Sequence, residues 1–192
     1  MYKALQEAVN AIMPMTDADF VLLDAMTSTF SVLKGQTLME PGRVCTDIYF
    51  LTHGVFRMYY VDPDGREINY RFALENNFMV DFQSFLSRKP SHYYWQAMEN
   101  ARGFAFSYND VQEAYRQSRN WERFGRLMAE QVYQQVNERI ELLQFLTPEQ
   151  RYLHVVATQP ALVNQISQFH LSSYLGVTPE SLSRIRKRLS QH

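Results

Sequence analysis

Near the end of the chain, Glu180, Arg184 and Lys187 lie in "TPESLSRIRKRL" at intervals of four and three residues. Such intervals stack side chains on one face of an α-helix. The opposite face receives Leu182, Ile185 and Leu189, so the charged face is expected to turn outward. There, Arg184 can donate two hydrogen bonds to the O6 and N7 of guanine, and Glu180 can accept one from the N4 of cytosine. Arg186, Lys187 and Arg188 suit phosphate oxygens, which gives salt-sensitive affinity without choice of sequence. Ser181 and Ser183 can add a base or phosphate contact, and Thr178 completes the set expected to face DNA. A solvated charged helix that closes a helical subdomain is the plainer reading of the same residues.

The residues just upstream can hold such a helix in place. Leu171 and Leu175 form an apolar pair one turn apart, with the small Ser172 where a large side chain would force two helices apart. Gly176 suits a turn that needs positive φ, and Val177 plugs it. Thr178 can cap the second helix, with Pro179 at its first position. Together, Gln168–Lys187 fit a helix-turn-helix.

Further back, the texture differs. Thr16 can cap a helix over "DADFVLLDAM", whose early Asp17 and Asp19 suit the helix dipole. From about Phe30 to Phe106 the chain breaks into short β-branched and aromatic runs, with "PDG" at 63–65 predicting a hairpin. Many short strands with frequent turns imply a sandwich or roll. The period then changes again. Trp121, Phe124, Met128 and Val132 continue through Val136, Ile140 and Leu143 at spacings of three or four, with Leu127 and Leu142 widening the stripe. This predicts one long helix, whose stripe faces either a second copy of itself or its own β domain. Thr147-Pro148-Glu149 starts another helix.

Composition narrows the function. From Arg151 onward there are five Lys/Arg and one acid, a local charge of +4, while the first 150 residues carry −5. A basic tail on an acidic body points to a polyanionic partner. Cys45 is the single cysteine, which excludes an intrachain disulfide and a thiolate cluster. His53, His92, His154 and His170 show no metal-ligand spacing, and no H-x-H pair supports a cupin-type enzyme. No apolar run reaches membrane-span length. No nucleophile-base arrangement stands out. The expectation is a cytoplasmic protein that is not an enzyme and needs no metal or cofactor.

"LGVTPESLSRIRKRL" resembles the recognition segment of the Crp/Fnr superfamily of bacterial transcription regulators, in particular its short Bacteroidetes members. "GQTLMEPGRVCTDIYFLTHGVFRMYY" is similar to the start of that family's β-roll, and "ERFGRLMAEQVYQQVNERIELLQFLTPEQRYLHV" to its dimerisation helix and the link beyond. The resemblance covers nearly the whole chain. It implies an α+β fold: an N-terminal, jelly-roll-like β-roll of the cyclic-nucleotide-binding-domain type, a long dimerisation helix, and a C-terminal helix-turn-helix. Many relatives continue into a β-hairpin wing, and as a departure from them the helix-turn-helix here is expected to lack a full wing. In the Fnr-like branch the pattern E-x-x-S-R reads bases; Glu180, Ser183 and Arg184 match it. The cyclic-nucleotide pattern does not carry over. Val80 falls where that pattern has a glycine, Asp81 where it has a glutamate and Ser91 where it has an arginine, so ordinary binding of cyclic AMP is not expected. Val80, Asp81, Phe82, Ser91, His92 and Tyr93 are the candidate effector-pocket residues. Neighbouring aromatics such as Phe85, Tyr94 and Trp95 either line a pocket or fill the core.

These readings combine into three expected segments: 1–118 for sensing, 119–147 for dimerisation and 148–192 for DNA. The expected function is a dimeric regulator whose helix Pro179–Leu189 enters a major groove. The alternative is a regulatory β-roll that acts through protein partners without specific DNA binding. Expected partners are double-stranded DNA, a second copy of the chain and an unidentified small-molecule effector, with RNA polymerase as a further candidate and no membrane.

Overall fold

The computed structural model describes residues 2–190; residues 1, 191 and 192, at the ends of the first and last expected segments, lie outside the described residues. Two helices lead, α1 (Tyr2–Ile12) and α2 (Asp17–Met26). Thr16 caps α2 in a reciprocal box: its hydroxyl oxygen accepts from the Asp19 N–H, and the Asp19 carboxylate accepts from the Thr16 N–H.

The strands follow as β1 (Ser28–Val32), β2 (Thr37–Met39), β3 (Asp47–His53), β4 (Phe56–Val61), β5 (Glu67–Ala73) and β6 (Asn77–Met79). A short helix α3 (Phe82–Ser87) precedes β7 (Tyr94–Ala97) and β8 (Ala101–Ser107). They form two four-stranded sheets, in the orders β1-β8-β3-β6 and β2-β7-β4-β5. β8 is antiparallel to both β1 and β3, with Phe104 opposite Thr29 and Phe50. Gly103 permits that approach, since a Cβ there would come within 2.0 Å of the Phe50 carbonyl oxygen.

Helices complete the chain: α4 (Tyr108–Gln117), α5 (Arg119–Phe145), α6 (Pro148–Thr158), α7 (Pro160–Gln165), α8 (Gln168–Leu175) and α9 (Pro179–Leu189). The architecture is thus the expected α+β one, a β-roll followed by helices. Among the described residues no helix is long and apolar enough to cross a membrane.

The chain divides into two compact units: 1–58 with 73–133, and 59–72 with 134–192. In the first, strand alternation sorts side chains to opposite faces of the β1-β8-β3-β6 sheet. Phe50 and Phe104 turn towards the helices, where the Phe104 ring meets Tyr2 edge-on. On the other face, Phe30 meets both Tyr49 and Phe56 edge-on inside the roll. Trp121 on α5 is buried here, and its indole N–H donates to the Asp19 carbonyl at 3.0 Å. The Phe124 ring packs on Phe78 and is also buried.

The second unit joins the outer part of the β4–β5 hairpin to the C-terminal helices. Asp62 accepts hydrogen bonds from the Asp64 and Arg66 backbones, and Gly65 takes φ +80° at the turn. Arg151 on α6 gathers two helix ends and the linker between α5 and α6: it donates to the carbonyls of Leu143 (2.8 Å), Leu146 (2.9 Å) and Leu175 (3.1 Å). Arg139 lies over the Tyr174 ring at 4.1 Å and donates to the Tyr174 carbonyl.

Candidate nucleic-acid interface

α8 and α9 form a two-helix motif built by local chemistry. Ser167 caps α8, accepting from the His170 N–H at 3.3 Å. α8 ends at Gly176, whose φ of 67° and ψ of 38° put it in the left-handed region. A side chain there would be strained, which is why the turn takes glycine. Val177 donates to the Ser172 carbonyl at 3.0 Å and closes the turn. Thr178 then caps α9, its hydroxyl oxygen accepting from the Ser181 N–H at 3.2 Å, with Pro179 in the first turn.

The packing is equally specific. Leu171, Leu175 and Leu182 are fully buried, with Ile185 nearly so. Ser172 is 1% exposed, and its hydroxyl donates back to the Phe169 carbonyl at 2.8 Å, so the helices meet at a small side chain that is itself satisfied. Leu189, expected on the same face, is half-buried.

Opposite that stripe, Glu180, Ser183 and Arg184 are exposed, as are Arg186, Lys187 and Arg188. Thr178 is exposed and Ser181 half-buried. The Arg184 guanidinium donates to Ser181 Oγ at 3.2 Å, a light tether. The Glu180 carboxyl is held below its usual range, first by its own backbone N–H, then by the Thr178 side chain, with nearby Arg184 adding to the effect. An anionic acceptor and a cationic fork therefore stand side by side in solvent. Arg186 and Lys187 have no ion pair among the described residues. Arg188 differs, since it pairs with Glu149 at the start of α6.

The residues expected around an effector take several local roles. Asp81 is buried and caps α3, accepting from the Ser84 N–H at 3.2 Å. Ser91 is buried and accepts from the Tyr93 N–H at 3.0 Å, while His92 is exposed and Tyr93 half-buried. Arg88, one of two cations in this stretch with Lys89, donates to the Cys45 and Phe85 carbonyls and lies 4.1 Å over the Tyr108 ring. Val80 and Phe82 line a cavity that opens on the helix side of the β1-β8-β3-β6 sheet.

The long stripe also divides. Trp121 and Phe124 are buried within the first unit. Met128, Val132 and Val136 are half-buried, whereas Ile140 and Leu143 are exposed.

Sequence and structure comparisons bear on the whole. The family model for the cyclic nucleotide-binding domain matches residues 29–118. No curated protein sequence matches the chain. Among solved structures, FixK2 from Bradyrhizobium japonicum is 18% identical at a TM-score of 0.69, covering 86% of this chain and 85% of that one. The c-di-GMP responsive global regulator CLP from Xanthomonas campestris is 16% identical at 0.69, covering 92% of each chain. A putative regulator of the Crp/Fnr family from Eubacterium rectale is 16% identical at 0.68, covering 92% and 84%. At these identities the likeness is one of fold.

Proposed function

We propose that this chain, which carries a cyclic nucleotide-binding domain over residues 29–118 and has the fold of Crp/Fnr regulators, is a dimeric DNA-binding regulator of transcription. One observation carries the reading: the solvent-exposed Glu180–Arg184 pair on α9, opposite the buried Leu182 and Ile185. α9 enters the major groove. Arg184 reads a guanine and Glu180 a cytosine. Ser183 and the half-buried Ser181 supply a further base or phosphate contact. Arg186 and Lys187 neutralise phosphates, while Arg188 must leave Glu149 to do the same. Thr178 presents the helix N-terminus.

In this proposal residues 119–147 form the dimer seam. Its contacts come from Met128, Val132, Val136, Ile140 and Leu143 and not from the buried Trp121 and Phe124. Residues 148–192 bind DNA and residues 1–118 sense an effector. That effector is not cyclic AMP. Asp81 is taken up as a helix cap and Arg88 by carbonyls and a ring, so neither charge faces a phosphate.

The test is selection of random-sequence duplex DNA by the full chain at physiological salt. Enrichment of a palindrome with half-sites one helical turn apart is the expected outcome. No enrichment overturns the DNA reading and favours action through protein partners.

A further inference from the structure

The cavity lined by Val80 and Phe82 is enclosed largely by residues outside the candidate effector set. Ile48, Phe78 and Phe106 form its floor on the helix side of the β1-β8-β3-β6 sheet. The interior of the roll lies on the other face, where Phe30 meets Tyr49 and Phe56. Val111 and Tyr115 of α4 form one wall, and Trp121, Phe124, Gly125 and Met128 of α5 form another.

No charged side chain lines this space. The Trp121 N–H is already given to the Asp19 carbonyl. Burial pushes the Tyr115 hydroxyl above the usual tyrosine range, so it stays neutral. A cavity with this lining repels ions and holds water poorly, because a buried water needs two to four polar partners. Its volume is about 40 Å³. That exceeds the roughly 10–15 Å³ a water requires and falls well short of the roughly 150 Å³ that takes up benzene. The lining and the size therefore select a small, uncharged, apolar molecule of a few heavy atoms.

The wall can also report occupancy. A Cβ on Gly125 would come within 2.3 Å of the Tyr115 hydroxyl, so Tyr115 lies directly against the α5 backbone at the cavity's edge. α5 is one continuous helix of 27 residues. A guest that displaces Tyr115 or Met128 presses on its first turns, and a rigid helix carries a small displacement along its length.

We propose that this cavity, on the outer face of the sheet and not within the roll, is a binding site for a small uncharged apolar molecule, read out by α5. It rests on the regulator reading only for its purpose, because the site is tested without DNA. Isotope-labelled full chain is titrated with xenon under pressure and followed by NMR. The expected result is a saturable shift of the Trp121 indole N–H and of α5 amides as far as Val136 and Ile140, at gas pressures reflecting weak affinity. Val111→Phe should fill the space and abolish both shifts. Val80→Ile, which adds one methylene and is milder on folding, should weaken xenon binding several-fold. Absence of saturable shifts in the wild type overturns the site. Shifts confined to residues 121–128 overturn the readout by α5. Shifts unchanged in a folded filling variant also overturn the site. A protein that takes up xenon but selects no DNA retains the site and loses the regulator reading.

Discussion

The backbone N–H of Asn69 donates to Ser173 Oγ at 2.9 Å, and that hydroxyl lies 3.2 Å from the Glu67 carbonyl, to which it donates. β5 is the edge of its sheet, where alternate N–H and C=O groups face away from the neighbouring strand. One serine on α8 thus serves two edge groups, while Asn69 Nδ2 donates to the His170 carbonyl at 3.2 Å. The Phe72 and Tyr174 rings meet edge-on alongside.

Removing that hydroxyl should free the strand edge. Ser173→Ala is expected to cost about 1–3 kcal/mol locally, raising exchange at the Asn69 amide by roughly ten- to a hundredfold. Ser173→Thr, which keeps the hydroxyl, should change it little. Hydrogen exchange read residue by residue checks both, and equal protection in the alanine variant would contradict the role given to Ser173.

Arg184→Ala should lower affinity for a selected operator by about 1–3 kcal/mol and relax discrimination at one base pair. Lys187→Ala should weaken binding to all sequences alike and reduce the salt slope by about one ion. Binding isotherms over a salt series distinguish the two. The assignment fails if the arginine variant keeps its full sequence preference.

Ile140→Glu combined with Leu143→Glu should convert the proposed dimer to a monomer in sedimentation at micromolar concentration, with little loss of fold, because both side chains are exposed within one chain. Trp121→Ala should instead destabilise the fold by about 3–5 kcal/mol, since the residue is 3% exposed. A dimer that survives the double substitution would move the seam elsewhere.

Asp19 links stability to acid. Burial pushes its carboxyl up, but hydrogen bonds from Ser118, Asn120 and Thr16 outweigh that and bring it from 3.8 down to about 2. A depressed carboxyl contributes fully above its unfolded pKa, and its contribution disappears as pH falls through the folded one. The melting-temperature gap between wild type and Asp19→Asn should therefore be widest near neutral pH and close between about pH 4 and pH 2. A gap independent of pH would mean that the charge of Asp19 contributes nothing.

Burial pushes the Cys45 thiol up to about 11, with Asp81 and Asp47 adding to the rise against backbone hydrogen bonds that lower it. At pH 8 the native protein should react with a thiol reagent on the order of a hundredfold more slowly than the unfolded chain. Comparable rates in the two states would be inconsistent with a buried, protonated sulfur.

Local chemistry was legible in the sequence wherever it settled local structure. Thr16 and Thr178 read as N-caps and Thr147-Pro148-Glu149 as a helix start, and each threonine accepts a backbone N–H three residues on. Gly176 and the Pro63–Gly65 turn were legible for the same reason. Non-local facts were not. The apolar period of α5 says that one face is covered but not by what, so Trp121 and Phe124 look identical to Ile140 until the fold is known. Asp81 resembles a ligand-holding acid in sequence and acts as the cap of a six-residue helix too short to show a period. The Asn69–Ser173 contact spans 104 residues, and no spacing rule reaches that far.

The three carbonyls held by Arg151 belong to the last turns of α5 and α8 and to Leu146, the first of the two residues between α5 and α6. The partial negative charges that accumulate there meet a single fixed cation. Twisting the Leu146–Thr147 junction would strain these hydrogen bonds, so the guanidinium braces it. Within the second unit the last turn of α5 and the end of α8 are thus fastened to the same side chain, and the expectation is that they move together.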